Sequence, residues 1–269
     1  MKYLLPLILC FVIACTSSKV TTRGAASKES IVVNGKIFTA LYQQQSAEYK
    51  ALCLQAYHVA TGKLMQSVSL ATTQSGFPKA IITDIDETVL DNSAFAVHQA
   101  LMGKEYVAAD WYEWTDKAIA DTVPGAPSFL KLAGAKGVEI FYITNREERE
   151  RASTLKNLQR FGLPNADEQH LITKNGTSSK ELRRQQVAAT HEVIMLIGDN
   201  LADFSNLFDK KSQQERSANT AISFNQFGDR FIVIPNPGYG DWEGALFNYN
   251  YKLSSAQKDS FIRSVLKNY

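Results

Sequence analysis

The sequence predicts a doubly wound α/β domain, a parallel sheet with helices on both faces. Three observations predict it. There are five short apolar runs, "KAIITDID", "VEIFYITNR", "HLIT", "VIMLIGDN" and "RFIVIPNP". Helical segments separate consecutive runs. The length of 269 residues suits one such domain with an elaboration. Strands that alternate with helices return by right-handed crossovers, which makes the sheet parallel.

The N-terminus reads as an export signal over residues 1–14: Lys2 precedes an apolar stretch from Tyr3 to Ala14 that is too short to span a membrane as a stable helix. Val12-Ile13-Ala14-Cys15 is similar to a bacterial lipobox, in which the signal is cut before Cys15 and that thiol is lipidated. This predicts a protein of the bacterial cell envelope, attached to its membrane by a lipid anchor rather than by a spanning helix. Thr16, in place of an Asp after the lipidated Cys15, resembles an outer-membrane address in a bacterium with two membranes. Processing leaves Cys53 as the thiol of the folded body, so no intrachain disulfide is expected; its spacing in "AEYKALCLQAYHVA" is that of an apolar helical residue.

Residues 15–36, rich in Ser, Thr, Lys and Gly, read as a lipidated tether, and residues 37–269 as the domain. From 37 to about 64 the residues Phe38, Leu41, Tyr42, Tyr49, Leu52, Cys53, Ala56 and Tyr57 recur at helical steps, predicting an amphipathic helix taken as one cap element. The first apolar run follows. A second cap element spans about 94–123, helical in pieces and dense in aromatics (Phe95, Tyr106, Trp111, Tyr112, Trp114). "PGAPSFLKLAGAKG" supplies a Pro start, an apolar face and a Gly stop. Helices over about 146–161 and 179–190, a helical segment after the fourth strand, and a C-terminal helix from about 254 complete the alternation.

Composition is that of an ordinary globular protein, with 45% hydrophobic residues, 21% charged residues and a formal net charge of +2. A near-neutral chain gives no reason to expect a nucleic-acid polymer as partner.

Open parallel sheets bind ligands beyond the carboxyl ends of their strands. The first strand ends in Asp84-Ile85-Asp86, the second in Thr144-Asn145-Arg146, the loop after the third carries Lys180, and the fourth ends in Gly198-Asp199-Asn200-Leu201-Ala202-Asp203. Several carboxylates in one crevice need a counter-charge, since two like charges ~4 Å apart repel by about 4 kcal/mol at an effective dielectric near 20. Oxygen-only donors without His or Cys favour Mg²⁺. Asp84 and Asp199 are the best side-chain ligands. Alternate residues on an extended end face opposite ways, so Asp86 offers a metal its backbone carbonyl and keeps its carboxylate for proton transfer. A carboxylate beside Mg²⁺ and a Lys suits attack on a phosphoryl group, because the cations cancel repulsion between nucleophile and phosphate. Glu87 and Asp91 read as turn and helix-start residues.

These residues resemble the haloacid dehalogenase (HAD) superfamily, and within it the class C acid phosphatases, the bacterial lipoprotein type. The likeness lies in "DIDETVLD", in Thr144 after "FYI", in Lys180 of "SSKELRR" and in "GDNLADF"; nearer to class C are the lipobox, "SAEYKAL", "DWYEW" before Pro124-Gly125-Ala126, and "PNPGYGDWEGAL". The resemblance implies a HAD-like, Rossmann-like sheet and a Mg²⁺-dependent phosphomonoesterase. Asp84 would be the nucleophile and Asp86 the general acid and base. Thr144, Asn145 and Lys180 would bind the phosphoryl group, with Asp199 and Asp203 completing a metal site shared with Asp84 and Asp86. It also implies that Trp111 and Tyr239 line the substrate entrance, where aromatic rings sandwich the base of a nucleotide; nucleoside 5′-monophosphates are then the expected phosphate monoesters. The other use of these aromatics is packing in the core or in a homodimer. "AFAVHQALMG", with His98, departs from many relatives, which carry a Tyr and a nearby Trp there.

Rival readings are a phosphatase of sugar phosphates or phosphoproteins and a non-catalytic surface binding lipoprotein. A receiver domain also gathers acids, a Thr and a Lys around Mg²⁺. Its acidic pair precedes the phosphorylated Asp, however, whereas here the Asp-x-Asp opens the fold.

Overall fold

The structure, a computed structural model, describes residues 30–69 and 76–269. The expected signal peptide, Cys15 and the tether as far as residue 29 lie outside the described residues. Two helices, α1 (Ile31–Gln45) and α2 (Ala47–Ser69), precede strand β1 (Lys79–Thr83). The chain continues through β2 (Leu90–Asp91), α3 (Ser93–Leu101), α4 (Ala108–Asp116), β3 (Asp121–Thr122), α5 (Ala126–Ala135) and β4 (Glu139–Glu147). Then come α6 (Arg151–Arg160), β5 (Leu171–Lys174), α7 (Glu181–Ala188), β6 (Glu192–Gly198) and α8 (Gln213–Ile222). Last are β7 (Phe231–Val233), α9 (Asp241–Leu246) and α10 (Ser255–Val265).

The main sheet has the order β5-β4-β1-β6-β7 and every pairing is parallel, with Ile82 opposite Phe141 on one side and Leu196 on the other. The chain builds outward from β1 to β5, then returns to β1's other side for β6 and β7. That reversal puts a crevice at the carboxyl ends of the central strands. All five apolar runs form the strands expected of them.

Alternation along each strand divides the core by face. Ile81, Ile140, Tyr142, Met195 and Ile197 face one layer, where they meet Tyr49, Cys53, Tyr57 and Leu64 of α2, Phe129 and Leu130 of α5, and Leu155 and Leu158 of α6. Ala80, Ile82, Phe141, Ile143, Leu196 and Phe231 face the other, with Val187 of α7 and Phe204. Helices therefore cover both faces. Cys53 is buried in the first layer and burial pushes its thiol up to about 11, as befits a core residue.

Three sequence expectations change. Residues 31–36, expected in the tether, are the opening turns of α1: Asp259 Oδ1 accepts the Ser30 hydroxyl at 3.2 Å and the Ile31 N–H at 2.9 Å, and Val32 and Val33 are buried. The single helix of 37–64 is two helices, broken at Ser46, whose backbone is extended and whose hydroxyl accepts the Tyr49 N–H at 3.0 Å as the cap of α2. α2 packs into the main core, while Gln44 of α1 bonds Ser93 of α3 at 3.0 Å. The helix expected from about 146 starts later. β4 runs on to Glu147, opposite Lys174, and a reciprocal Glu147–Glu150 capping box turns the chain into α6.

The aromatic insertion is helical in pieces as expected, with α3 and α4 held between the antiparallel pair β2–β3, where Leu90 faces Thr122 and Asp91 faces Asp121. Gly125 admits the turn into α5 by its left-handed φ of 92°, with Tyr57 packed where a Cβ would stand. Among the described residues no helix is long and apolar enough to cross a membrane.

Candidate active site

The site sits on the ends of β1, β4 and β6. Asp84 extends β1 by one ladder bond, its N–H donating to Ile197 O at 2.9 Å, so its carboxyl group emerges at the crevice and is almost wholly buried. One side-chain oxygen from each of Asp84, Asp199 and Asp203 lies within 4.8 Å of the other two. Lys180, the residue before α7, bonds Asp84 Oδ1 and lies 2.6 Å from Asp203 Oδ1. One ammonium thus faces three acids.

The charge balance shows in the titration of each group. Burial, which alone would lower the Lys180 pKa, is outweighed by Asp203 and Asp84, so the ammonium is held charged. Asp84 is raised to about 6 by burial, with Lys180 opposing and Asp203 and Asp86 adding to the rise. Asp199 is pushed well above the carboxylate range by burial, then by Asp203 and Asp84. Two acids therefore resist ionisation even with Lys180 present, which is the condition a divalent cation relieves. The donors are all carboxylate oxygens, the set suited to a hard cation.

Asp199 and Asp203 are each aimed by neighbours. Thr88 donates to Asp199 Oδ1 at 3.2 Å and Asn236, just beyond β7, donates to Asp199 Oδ2 at 2.7 Å. Asp203 closes a capping box with Asn200, accepting its N–H at 3.0 Å. Gly198 is required by close approach, since a Cβ there would stand 2.5 Å from Asp203 Oδ2.

Asp86 lies apart from the three-acid cluster. Its Oδ1 accepts Arg146 Nη2 at 2.8 Å, Arg146 Nε at 3.0 Å and Asn92 Nδ2 at 2.9 Å; its Oδ2 has a 3.3 Å contact from Arg146 Nε and a 3.5 Å contact from the Thr144 hydroxyl. Its carboxylate is therefore directed away from the cluster, as alternate facing requires, but it is not free: a buried guanidinium holds it. Thr144 is buried at the end of β4 and its hydroxyl accepts the Arg146 N–H at 3.0 Å. Asn145 is exposed beside it, with its Oδ1 accepting Arg183 Nη2 at 2.8 Å.

The two aromatics expected at the entrance lie on separate elements, and of the two Tyr239 bonds the acidic motif. Trp111 of α4 packs with Phe95 and Tyr106, lies 5.7 Å from the Arg146 guanidinium, and donates its indole N–H to Glu150 at 2.9 Å. Tyr239, 40% exposed, donates its hydroxyl to Glu87 Oε2. Glu87 and Asp91 do shape the turn: Glu87 Oε1 accepts the Asn92 N–H at 2.8 Å, and Asp91 Oδ1 accepts the Ser93 N–H at 2.8 Å. His98 is exposed on α3.

Arg146, Asn92, Thr88, Asn236 and Arg183 are the site residues that sequence reasoning missed. Two carried a signal: Arg146 stands two places after Thr144, and Asn236 follows the fifth strand just as the other polar ends follow theirs.

Comparison with known proteins agrees with this geometry. The family model described as "HAD superfamily, subfamily IIIB (Acid phosphatase)" matches residues 11–242. The chain is similar to the class C acid phosphatase from Bacillus anthracis, with a TM-score of 0.84 at 40% identity over 88% of this chain and 99% of that one. The crystal structure of Bacillus anthracis class C acid phosphatase with tungstate bound gives 0.83 at 39% identity, over 88% and 98%. With its parallel sheet, its strand-end acids and these matches, the chain belongs to the acid phosphatases of the HAD superfamily, subfamily IIIB.

Proposed function

We propose that this acid phosphatase is a Mg²⁺-dependent phosphomonoesterase that works through a phosphorylated Asp84. The observation that carries the reading is the buried cluster of Asp84, Asp199 and Asp203 around Lys180, with Asp86 set apart from it on Arg146. Asp84, Asp199 and Asp203 would hold the ion, with the Asp86 backbone carbonyl as a further donor. A bound Mg²⁺ supplies the positive charge that lets Asp84 ionise and approach a phosphate.

Asp84 attacks phosphorus, and the bond from phosphorus to the ester oxygen breaks. The departing oxygen takes its proton from Asp86 Oδ2, the less heavily bonded of that residue's two oxygens. Asp86 then takes a proton from water as the water attacks phosphorus, which releases inorganic phosphate and returns Asp84. Lys180, Thr144 and Asn145 hold the phosphoryl oxygens.

The proposed substrates are nucleoside 5′-monophosphates, with Trp111 and Tyr239 receiving the base at the entrance; a ring face accepts any base. The proposed setting is the bacterial envelope, with the chain anchored through lipidated Cys15 at the outer membrane. Turnover of an aryl phosphate and of nucleoside 5′-monophosphates, with EDTA and after Mg²⁺ add-back, tests the chemistry. Activity that persists in EDTA, or in Asp84→Asn with the metal present, contradicts it. Labelling with radioactive palmitate in wild type and Cys15→Ala tests the anchor, and equal labelling of the two contradicts it.

A further inference from the structure

Among the described residues four arginines are buried: Arg146, Arg183, Arg184 and Arg216. Three have acidic partners, since Arg146 lies 2.8 Å from Asp86, Arg184 lies 2.5 Å from Glu181, and Arg216 lies 3.6 Å from Asp241. Arg183 differs. Among the described residues it makes no ion pair, and its bonds go to neutral oxygens: Nη1 to Thr144 O at 2.6 Å, and Nη2 to Asn145 Oδ1 at 2.8 Å, Ser179 O at 3.2 Å and Ser178 O at 3.4 Å. A buried charge without a counter-charge is expensive, so its retention needs a reason. Burial lowers its pKa, against the pull of Asp84.

Arg183 joins two parts of the phosphoryl grip. On one side are Thr144 and Asn145 at the end of β4, and on the other is the 178–179 segment that leads into Lys180. The guanidinium has donors only, so the atom of Asn145 that meets it must be the carbonyl Oδ1. The Asn145 amide is thereby fixed with its Nδ2 hydrogens as the remaining group, a donor for an anion. The same guanidinium carries its charge in no direct ion pair among the described residues, and Asp84 and Asp203 act on it only through space.

We propose, on the phosphatase reading above, that Arg183 is a positioning residue for the phosphoryl group, orienting Asn145 as a phosphate donor, and that its charge, held in no direct ion pair, is met by the incoming phosphate. Arg183 acts through Asn145 and through the field, and makes no contact with the ester group. It therefore affects binding of every phosphate monoester, whatever the leaving group.

The test is competitive inhibition by inorganic phosphate, measured on the Mg²⁺-loaded protein in Arg183→Lys, Asn145→Ala and the double variant. Lys keeps a charge but cannot span Thr144 O and Asn145 Oδ1 together. Each single change should weaken phosphate inhibition by about tenfold, and the double change by little more, because the two share one interaction. Inhibition within about twofold of wild type in Arg183→Lys, or effects that multiply in the double variant, overturns the proposal. Asn145→Asp supplies a second reading if Arg183→Lys does not fold. Placed beside a guanidinium that has no direct ion pair, the new carboxylate should raise the thermal midpoint while weakening phosphate inhibition. A midpoint that falls or stays put contradicts the proposal.

Discussion

Arg146 grips Asp86 through two nitrogens, Nη2 at 2.8 Å and Nε at 3.0 Å from the same Oδ1, and leaves Oδ2 the more open oxygen. The Arg146 guanidinium is itself fixed, donating to Thr154 at 3.1 Å and lying beside the Trp111 ring. Asp86, to which the proposed mechanism gives both proton transfers, is thus aimed by a buried cation rather than by the three-acid cluster.

Arg146→Met should therefore lower kcat by about 10²- to 10³-fold with a small change in KM, because proton transfer suffers while the Lys180 and Asn145 grip survives. Steady-state kinetics on an aryl phosphate checks this. A KM effect larger than the kcat effect would place Arg146 in substrate binding instead.

Asp84 predicts how the metal-free protein responds to acid. Its folded pKa of about 6 lies above the ordinary aspartate value of 3.8, so the native state binds a proton more tightly than the unfolded chain does. Stability is greatest at the acid end of that window and falls as pH rises through it, by on the order of 3 kcal/mol from this group. Thermal midpoints in EDTA should decline between these pH values, and Asp84→Asn should flatten the decline. Mg²⁺ should flatten it too, by stabilising the ionised form.

His170 gives a second, metal-independent slope. Its Nδ1 lies 2.7 Å from Asp167 Oδ1 and its Nε2 lies 3.1 Å from Glu139 Oε2. Burial, which alone would lower its pKa, is outweighed by Asp167 and Glu139, so the imidazolium is favoured in the folded state. Its contribution is complete below the unfolded value of about 6.5 and is lost as pH rises through the higher folded value. His170→Gln should remove that loss above neutrality. An imidazole that titrates by NMR below the unfolded value would contradict the sign.

Base stacking separates the substrate classes. Trp111→Ala and Tyr239→Ala should each lower kcat/KM for a nucleoside 5′-monophosphate by about 5- to 150-fold, matching ~1–3 kcal/mol of stacking, and spare a small alkyl phosphate. Equal losses on both substrates would assign these rings to packing, consistent with Trp111's contacts to Phe95 and Tyr106.

The sheet and the acids were legible because their signals are local. Apolar runs such as "VIMLIG" specify a buried strand, and a strand end specifies where its next residues emerge. The face opposition of Asp84 and Asp86 followed from strand geometry alone. What was not legible depends on contacts between distant segments. Arg146 reaches Asp86 across 60 positions and Asn236 reaches Asp199 across 37. The start of α1 depends on Asp259, 228 positions from Ile31, and composition in a Ser- and Lys-rich stretch cannot reveal that partner. Ser46 could have been read as a cap, but the apolar spacing runs on across it.

The central claim is that phosphorus passes through Asp84, and mass spectrometry of acid-quenched protein tests it most directly. Asp86→Asn, supplied with Mg²⁺ and an aryl phosphate whose leaving group needs no proton, should form the acyl phosphate and hydrolyse it slowly. A phosphoryl group on Asp84, absent from Asp84→Asn treated in the same way, is the predicted result. Phosphate on another residue, or undiminished turnover by Asp84→Asn, would contradict it.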